Sequence, residues 1–173
     1  MRSLVLTAIG DDRPGLVELL STTISDQGGN WLESSMAQLA GKFAGILRVD
    51  VPAASAEALI AALGELDALK VTVTLAGEAG APDSARNLHL TVVGHDRVGI
   101  VREVSQVLAR YAVNVAELNT ATSSAPMSGE ILFHARASLQ ADRDLDAAAL
   151  QRDLEALSND LIVDITLDEV VSI

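Results

Sequence analysis

The residues most able to do chemistry stand in two related hexapeptides, Gly10-Asp11-Asp12-Arg13-Pro14-Gly15 and Gly94-His95-Asp96-Arg97-Val98-Gly99. Each follows a short apolar run and precedes an apolar pattern of helical spacing, so each reads as the turn from a strand into a helix. Glycine lets the backbone turn sharply and lets a ligand approach it closely. Pro14 suits the first turn of a helix, where its missing N–H costs nothing. The free N–H groups and dipole of a helix start favour an anion such as the carboxylate of an amino acid, and Asp12 or Asp96 would then receive the ammonium. The competing reading is that Asp12 and Asp96 merely cap their helices, worth about 1 kcal/mol each. Asn30 and Asn114 recur at the start of the second strand of each copy. They could offer an amide to the same ligand, or serve as turn asparagines.

Catalytic chemistry is poorly served. His89, His95 and His134 are scattered, and His95-Asp96 are neighbours within a turn, so structural or solvated roles are expected for all three. No Asp/His grouping has metal-ligand spacing, and neither a Walker sequence nor Gly-x-Ser-x-Gly is present. Glu33 and Glu117 recur, but without a partner acid in the motif. The chain has no cysteine, which excludes disulfides, thiolate metal sites and thiol catalysis. No catalytic residue, metal or cofactor is expected, and the chain is read as a non-enzyme.

The elements that must hold these turns come from an internal duplication. Sliding the sequence by 84 positions lays Leu4–Gly10 on Leu88–Gly94, Asp12-Arg13 on Asp96-Arg97, Gly15 on Gly99, Ser21 on Ser105, Asn30 on Asn114 and Glu33 on Glu117. Two copies of this length indicate paired domains rather than a solenoid. Each opens on a buried strand, Leu4–Ile9 or Leu88–Val93, followed by a helix whose apolar face carries Leu16, Val17, Leu20 and Ile24, or Ile100, Val101, Val104 and Leu108. Two extended segments follow, joined around Ala40-Gly41-Lys42 in one copy and by the longer stretch 123–129 in the other. A second helix carries Leu59, Ala62, Leu63 and Leu66, or Leu150, Leu154 and Leu157. Each copy closes on alternation, Val71, Val73 and Leu75 against Thr72 and Thr74, and Val163, Ile165 and Leu167 against Asp164, Thr166 and Asp168.

The order β, α, β, β, α, β predicts an α+β fold of two tandem ferredoxin-like modules, each an antiparallel four-stranded sheet with both helices on one face. Right-handed crossovers require strand order 4-1-3-2, with the second and fourth strands as edges. The expected domains are residues 1–76 and 87–173, with a linker at 77–86 rich in Gly, Ala and Pro. Unpaired edges invite pairing between modules or subunits, so a homodimer is expected.

Composition narrows the partners. The 173 residues carry 24 acidic and 12 basic side chains, a formal charge of −12, and only 2% aromatics. That field repels phosphate backbones and anionic membranes, and there is no stacking platform for bases. Neither direct nucleic-acid binding nor membrane association is expected. Without a signal peptide or a long apolar run, the cytoplasm is the expected compartment.

The two turns, taken with their asparagines, resemble the ACT-domain family. In that family a turn of the form Asp/Asn-x-Pro-Gly follows the first strand and an Asn opens the second. The matching residues are Asp12-Arg13-Pro14-Gly15 with Asn30, and Asp96-Arg97-Val98-Gly99 with Asn114. More narrowly, two copies with no other domain, Asp-Arg-Pro-Gly in the first and Asn114-Val115-Ala116-Glu117-Leu118 in the second, resemble the glycine cleavage system transcriptional repressor group. The resemblance implies a regulator that binds a small amino acid at module interfaces, with Gly10, Asp11, Asp12, Arg13, Pro14, Gly15 and Asn30, and Gly94, Asp96, Arg97, Gly99 and Asn114, as ligand-binding residues. It also implies a protein partner to which occupancy is passed. Val98 in place of proline, and Ala112-Val113 in place of Gly28-Gly29, depart from the pattern in the second copy. A dimerising scaffold without a ligand and, less favoured, an enzyme acting on an amino-acid derivative are the alternatives.

Overall fold

A computed structural model describes residues 1–77 and 85–167. The element order is β1 (Arg2–Asp11), α1 (Leu16–Asp26), β2 (Asn30–Leu39), β3 (Lys42–Val51), α2 (Ala56–Gly64) and β4 (Lys70–Leu75) in the first copy. The second has β5 (Ala85–His95), α3 (Ile100–Arg110), β6 (Asn114–Ser124), β7 (Ile131–Asp142), α4 (Ala147–Glu155) and β8 (Ile162–Leu167). Two antiparallel four-stranded sheets result, ordered β2-β3-β1-β4 and β6-β7-β5-β8. This is the order that right-handed crossovers require, with the second and fourth strands of each copy at the edges. The chain divides into two compact units, residues 1–80 and 81–173. β5 begins at Ala85, so Ala85 and Arg86 are strand residues rather than part of the linker expected at 77–86. The rest of that linker from 78 on, and Asp168 of the closing alternation, lie outside the described residues.

Each unit buries its own apolar cluster between sheet and helices. In the first, Leu4, Leu6 and Ala8 of β1 and Leu47, Val49 and Val51 of β3 meet Leu16, Leu20 and Ile24 of α1 and Leu59 and Leu63 of α2. In the second, Leu88, Leu90 and Val92 of β5 and Phe133, Ala135 and Leu139 of β7 meet Ile100, Val104 and Leu108 of α3 and Leu150 and Leu154 of α4. Each leucine removed fully from water contributes roughly 1.5–3 kcal/mol, which is how a core nearly free of aromatics holds. Val17 and Val101, expected on the core faces, are instead 49% and 43% exposed. The buried stripe runs through Leu16, Leu20 and Ile24, and Val17 falls at its margin. Leu66 and Leu157 lie just past their helices yet still pack against the cores.

The departure at Ala112-Val113 leaves the helix-to-strand turn intact. Gly28 has φ 71° and Ala112 takes φ 53° in the same place. Gly29 N–H donates to the Ile24 carbonyl at 2.9 Å, and Val113 N–H donates to the Leu108 carbonyl at 3.0 Å. Alanine pays for a left-handed backbone there, while Val113 adds a buried side chain that Gly29 lacks. Among the described residues, no helix is long and apolar enough to cross a membrane.

Candidate functional site

In both units the repeated turn sits at one end of the sheet, where three loops converge. β1 ends at Asp11 and pairs there with Lys42, the first residue of β3. The Asp12 N–H donates to the Gly41 carbonyl at 3.0 Å, tying the β1–α1 turn to the β2–β3 hairpin. In the second unit the Asp96 N–H donates to the Ile131 carbonyl at 2.9 Å. A methyl group on Gly10 would collide with the Ala68 carbonyl oxygen, and one on Gly94 with the Leu161 side chain, so these glycines admit the loop before β4 or β8.

The helix start is uncapped. Gly15 is the N-cap of α1 with φ 92°, and Gly99 the N-cap of α3 with φ 90°, and neither helix receives a side-chain cap. Asp12 and Asp96 are therefore not caps; the left-handed glycine holds that place with no side chain. Pro14 precedes the N-cap instead of occupying the first helical turn. Asp12, Arg13 and Asp96 are exposed, and none of the three makes a side-chain ion pair among the described residues. The first N–H groups of α1 thus lack side-chain partners, beside an exposed carboxylate and an exposed guanidinium.

Asp11 accepts a hydrogen bond from Lys42 Nζ, and this contact holds its carboxyl below the usual carboxylate range. The second unit reverses those charges. His95, at the position of Asp11, places Nε2 at 2.9 Å from Glu130 and Nδ1 at 2.9 Å from Asp160. The hydrogen bond to Glu130, followed by that to Asp160, raises the imidazole above its ordinary 6.5. The Ser158 hydroxyl and the His95 backbone N–H hold the Asp160 carboxyl well below the usual range. His95 is thus a clasp across three loops, the structural one of the two roles expected from sequence. Lys42, Glu130 and Asp160 carry no spacing signal, because only the folded loops bring them to the turn.

Arg97 differs from its counterpart Arg13. Its guanidinium makes two hydrogen bonds with Glu103 of α3, at 2.9 and 2.6 Å, which hold the Glu103 carboxyl below its usual range. Leu19 stands where Glu103 would fall in the first copy, so the first turn keeps its arginine for other partners.

Asn30 and Asn114 are not brought to these turns. Asn30 pairs with Asp50, which pairs with Ser3, at the end of the sheet where β1 begins. From Ser3 to Asp12 is nine residues of extended chain, roughly 30 Å. Asn114 lies likewise beside Gln140, with 3.4 Å between Nδ2 and Oε1. The expectation that one module offers its Asp and its Asn to the same ligand is therefore corrected: within a module they stand at opposite ends.

Among the described residues no group of three His, Cys, Asp or Glu side chains could hold a metal. The ACT domain family matches residues 2–75 and 86–168. The chain is 25% identical over 162 residues to the glycine cleavage system transcriptional repressor of Escherichia coli (strain K12), covering 91% of this chain and 85% of that one. Among solved structures, an unknown protein from Galdieria sulphuraria is similar with a TM-score of 0.84 and 31% identity, over 98% of this chain and 99% of that one. A structure provisionally described as a glycine cleavage system transcriptional repressor shares the fold at TM-score 0.69 and 21% identity, over 97% and 98% of the two chains. Both copies of the repeat fall within one family match, each with its glycine turn at the start of a helix, and the chain belongs to the ACT domain family.

Proposed function

We propose that the chain is a regulatory protein that binds a small amino acid and acts by contacting another protein, in control of glycine cleavage or related amino-acid metabolism. The observation that carries the reading is the uncapped start of α1 on Gly15, flanked by the exposed Asp12 and Arg13. An α-carboxylate on the free N–H groups and an ammonium at Asp12 would use charges that no side chain among the described residues pairs with. The likeness to glycine cleavage system transcriptional repressors supports the pathway. The charge of −12 favours a protein rather than DNA as the contacted partner.

The opposite placement of Asp12 and Asn30 adds a geometric requirement. One ligand touching both needs the turn of one module beside the second strand of another. Edge strands β2 and β6 provide unpaired backbone for such a pairing, and β6 is exposed along its length. The ligand site and the homodimer then become one proposal. A ligand shifts such an assembly only through its differential affinity for the paired state. The same separation favours the second reading, a dimerising scaffold that binds nothing.

Titration of the Trp31 emission with glycine and then the other common amino acids separates the two. Trp31 adjoins Asn30, far from the Asp12 of its own module. A saturable change lost in both Asn30→Ala and Asp12→Ala supports a site composed from two modules. Silence of every amino acid, in emission and in melting, leaves the scaffold.

A further inference from the structure

The sheet face turned away from the helices differs sharply between the two copies. In the first, Ile46 of β3 pairs with Thr7 and Ser35, and Arg48, the cation of β3 on that face, lies one row further on, where Glu33 pairs with it at 2.9 Å. In the second, Arg136 takes the place of Ile46, between Thr91 and Asn119, and His134 takes the place of Ala44. Ser138 replaces Arg48. The cation has moved one row along the central strand, away from the glutamate position, and Glu117 there accepts instead from Asn119 Nδ2 at 2.8 Å. Arg136 is exposed and has no ion-pair partner among the described residues, whereas Arg48, Arg97 and Arg110 are all paired. A cleft of about 340 Å³ opens over it, lined by Thr91, Val93, Asn119, Ala121, His134 and Arg136.

We propose that this cleft on the sheet of the second module binds a small monocarboxylate, held by the Arg136 guanidinium. It is a site separate from the turns at the sheet end and does not rest on the reading given for them. The planar fork of arginine matches the two oxygens of a carboxylate. Thr91 offers a hydroxyl beside it. The His134 Nε2 is engaged with Ser123 Oγ at 2.8 Å, which fixes the ring at the cleft wall. Val93 and Ala121 supply an apolar side for a short alkyl group. Two carboxylates face the same surface, Glu117 on β6 and Asp164 on β8, the latter two strands and about 10 Å from Arg136. They oppose a doubly charged anion and so favour a carboxylate over phosphate.

The test is an NMR titration of the full chain with sodium propionate, and in parallel with inorganic phosphate and sodium chloride at matched ionic strength. Propionate should shift the Arg136 side-chain N–H and the amides of Thr91 and His134 saturably, with phosphate and chloride far weaker. Arg136→Gln should weaken propionate binding about tenfold or more, equivalent to about 1.4 kcal/mol. Arg136→Lys, which keeps the charge but not the fork, should fall between. Both substitutions are at an exposed position, so the rest of each spectrum should stay as in the wild type. Linear shifts, equal shifts from phosphate or chloride, or an unchanged response in Arg136→Gln would overturn the proposal. So would a dimer that Arg136→Gln dissolves, since a carboxylate of another copy would then fill the cleft.

Discussion

Asp12 makes no cap bond, so its conversion to alanine should leave intrinsic stability within about 0.5 kcal/mol of wild type in urea denaturation. Gly15→Ala should instead cost about 1–2 kcal/mol in the same assay, because φ 92° is a backbone that an L side chain resists. The sequence alone left capping and ligand binding at Asp12 undecided. A glycine three residues on from the aspartate and one on from the proline is equally compatible with both, and the backbone angle at Gly15 shows only that Asp12 is not the cap. His95 was illegible for a different reason: its partners lie 35 and 65 residues away in sequence. The clasp predicts a pH dependence. His95 has a raised folded pKa, so its contribution is complete below the unfolded value of 6.5 and is lost as pH rises through the folded value. Asp160 works in the opposite sense, contributing above the ordinary carboxylate range and losing its effect only in strong acid. Urea melts of wild type and His95→Gln should therefore converge as pH rises from about 6 to about 9, with wild type the more stable at the lower end. A difference that grows with pH would contradict the clasp.

The elements were legible to the extent that their hydrophobic period was strong. Both sheets take the strand order that the βαββαβ pattern and crossover handedness demand. The margins were less legible: Val17 and Val101 fit an i, i+3, i+4 pattern but lie at the edge of the buried stripe, which periodicity cannot distinguish from its centre. The larger miss concerned Asp12 and Asn30. They recur together in both copies, yet the β1–α1–β2 crossover returns the chain along the sheet between them, so that Asp12 lies past the end of β1 and Asn30 beside its start. The hairpin between β2 and β3 shows how local chemistry yields to register. Ala40 and Gly41 form its two-residue turn, and Ala40 sits at φ 50° although alanine disfavours that region. Ala40→Asn should relieve the strain and raise stability by about 0.5–1 kcal/mol in thermal or urea melts. A loss of stability would mean that the alanine side chain makes a contact that outweighs its backbone strain.

For the whole chain, the proposal of a regulator that contacts another protein rests on an ACT domain duplicated in one chain and on a charge of −12, which disfavours nucleic acid. Gel shifts at low salt with duplex DNA should show no binding by the isolated protein. Tight binding that weakens steeply with salt would contradict this, since that slope is the mark of phosphate contacts. The duplication also separates two roles. The first turn keeps Arg13 exposed, while Glu103 occupies Arg97 in the second, so ligand response should depend more on the first copy. That asymmetry, and the site itself, meet in the urea denaturation of wild type, Asp12→Ala and Asp96→Ala, each with and without saturating glycine or another common amino acid. At a ligand concentration one hundred times Kd, wild type should gain about 2.7 kcal/mol, with Asp12→Ala gaining almost none and Asp96→Ala retaining most of it. Equal gains in wild type and Asp12→Ala, or no gain with any common amino acid, would contradict an amino-acid site at the first turn.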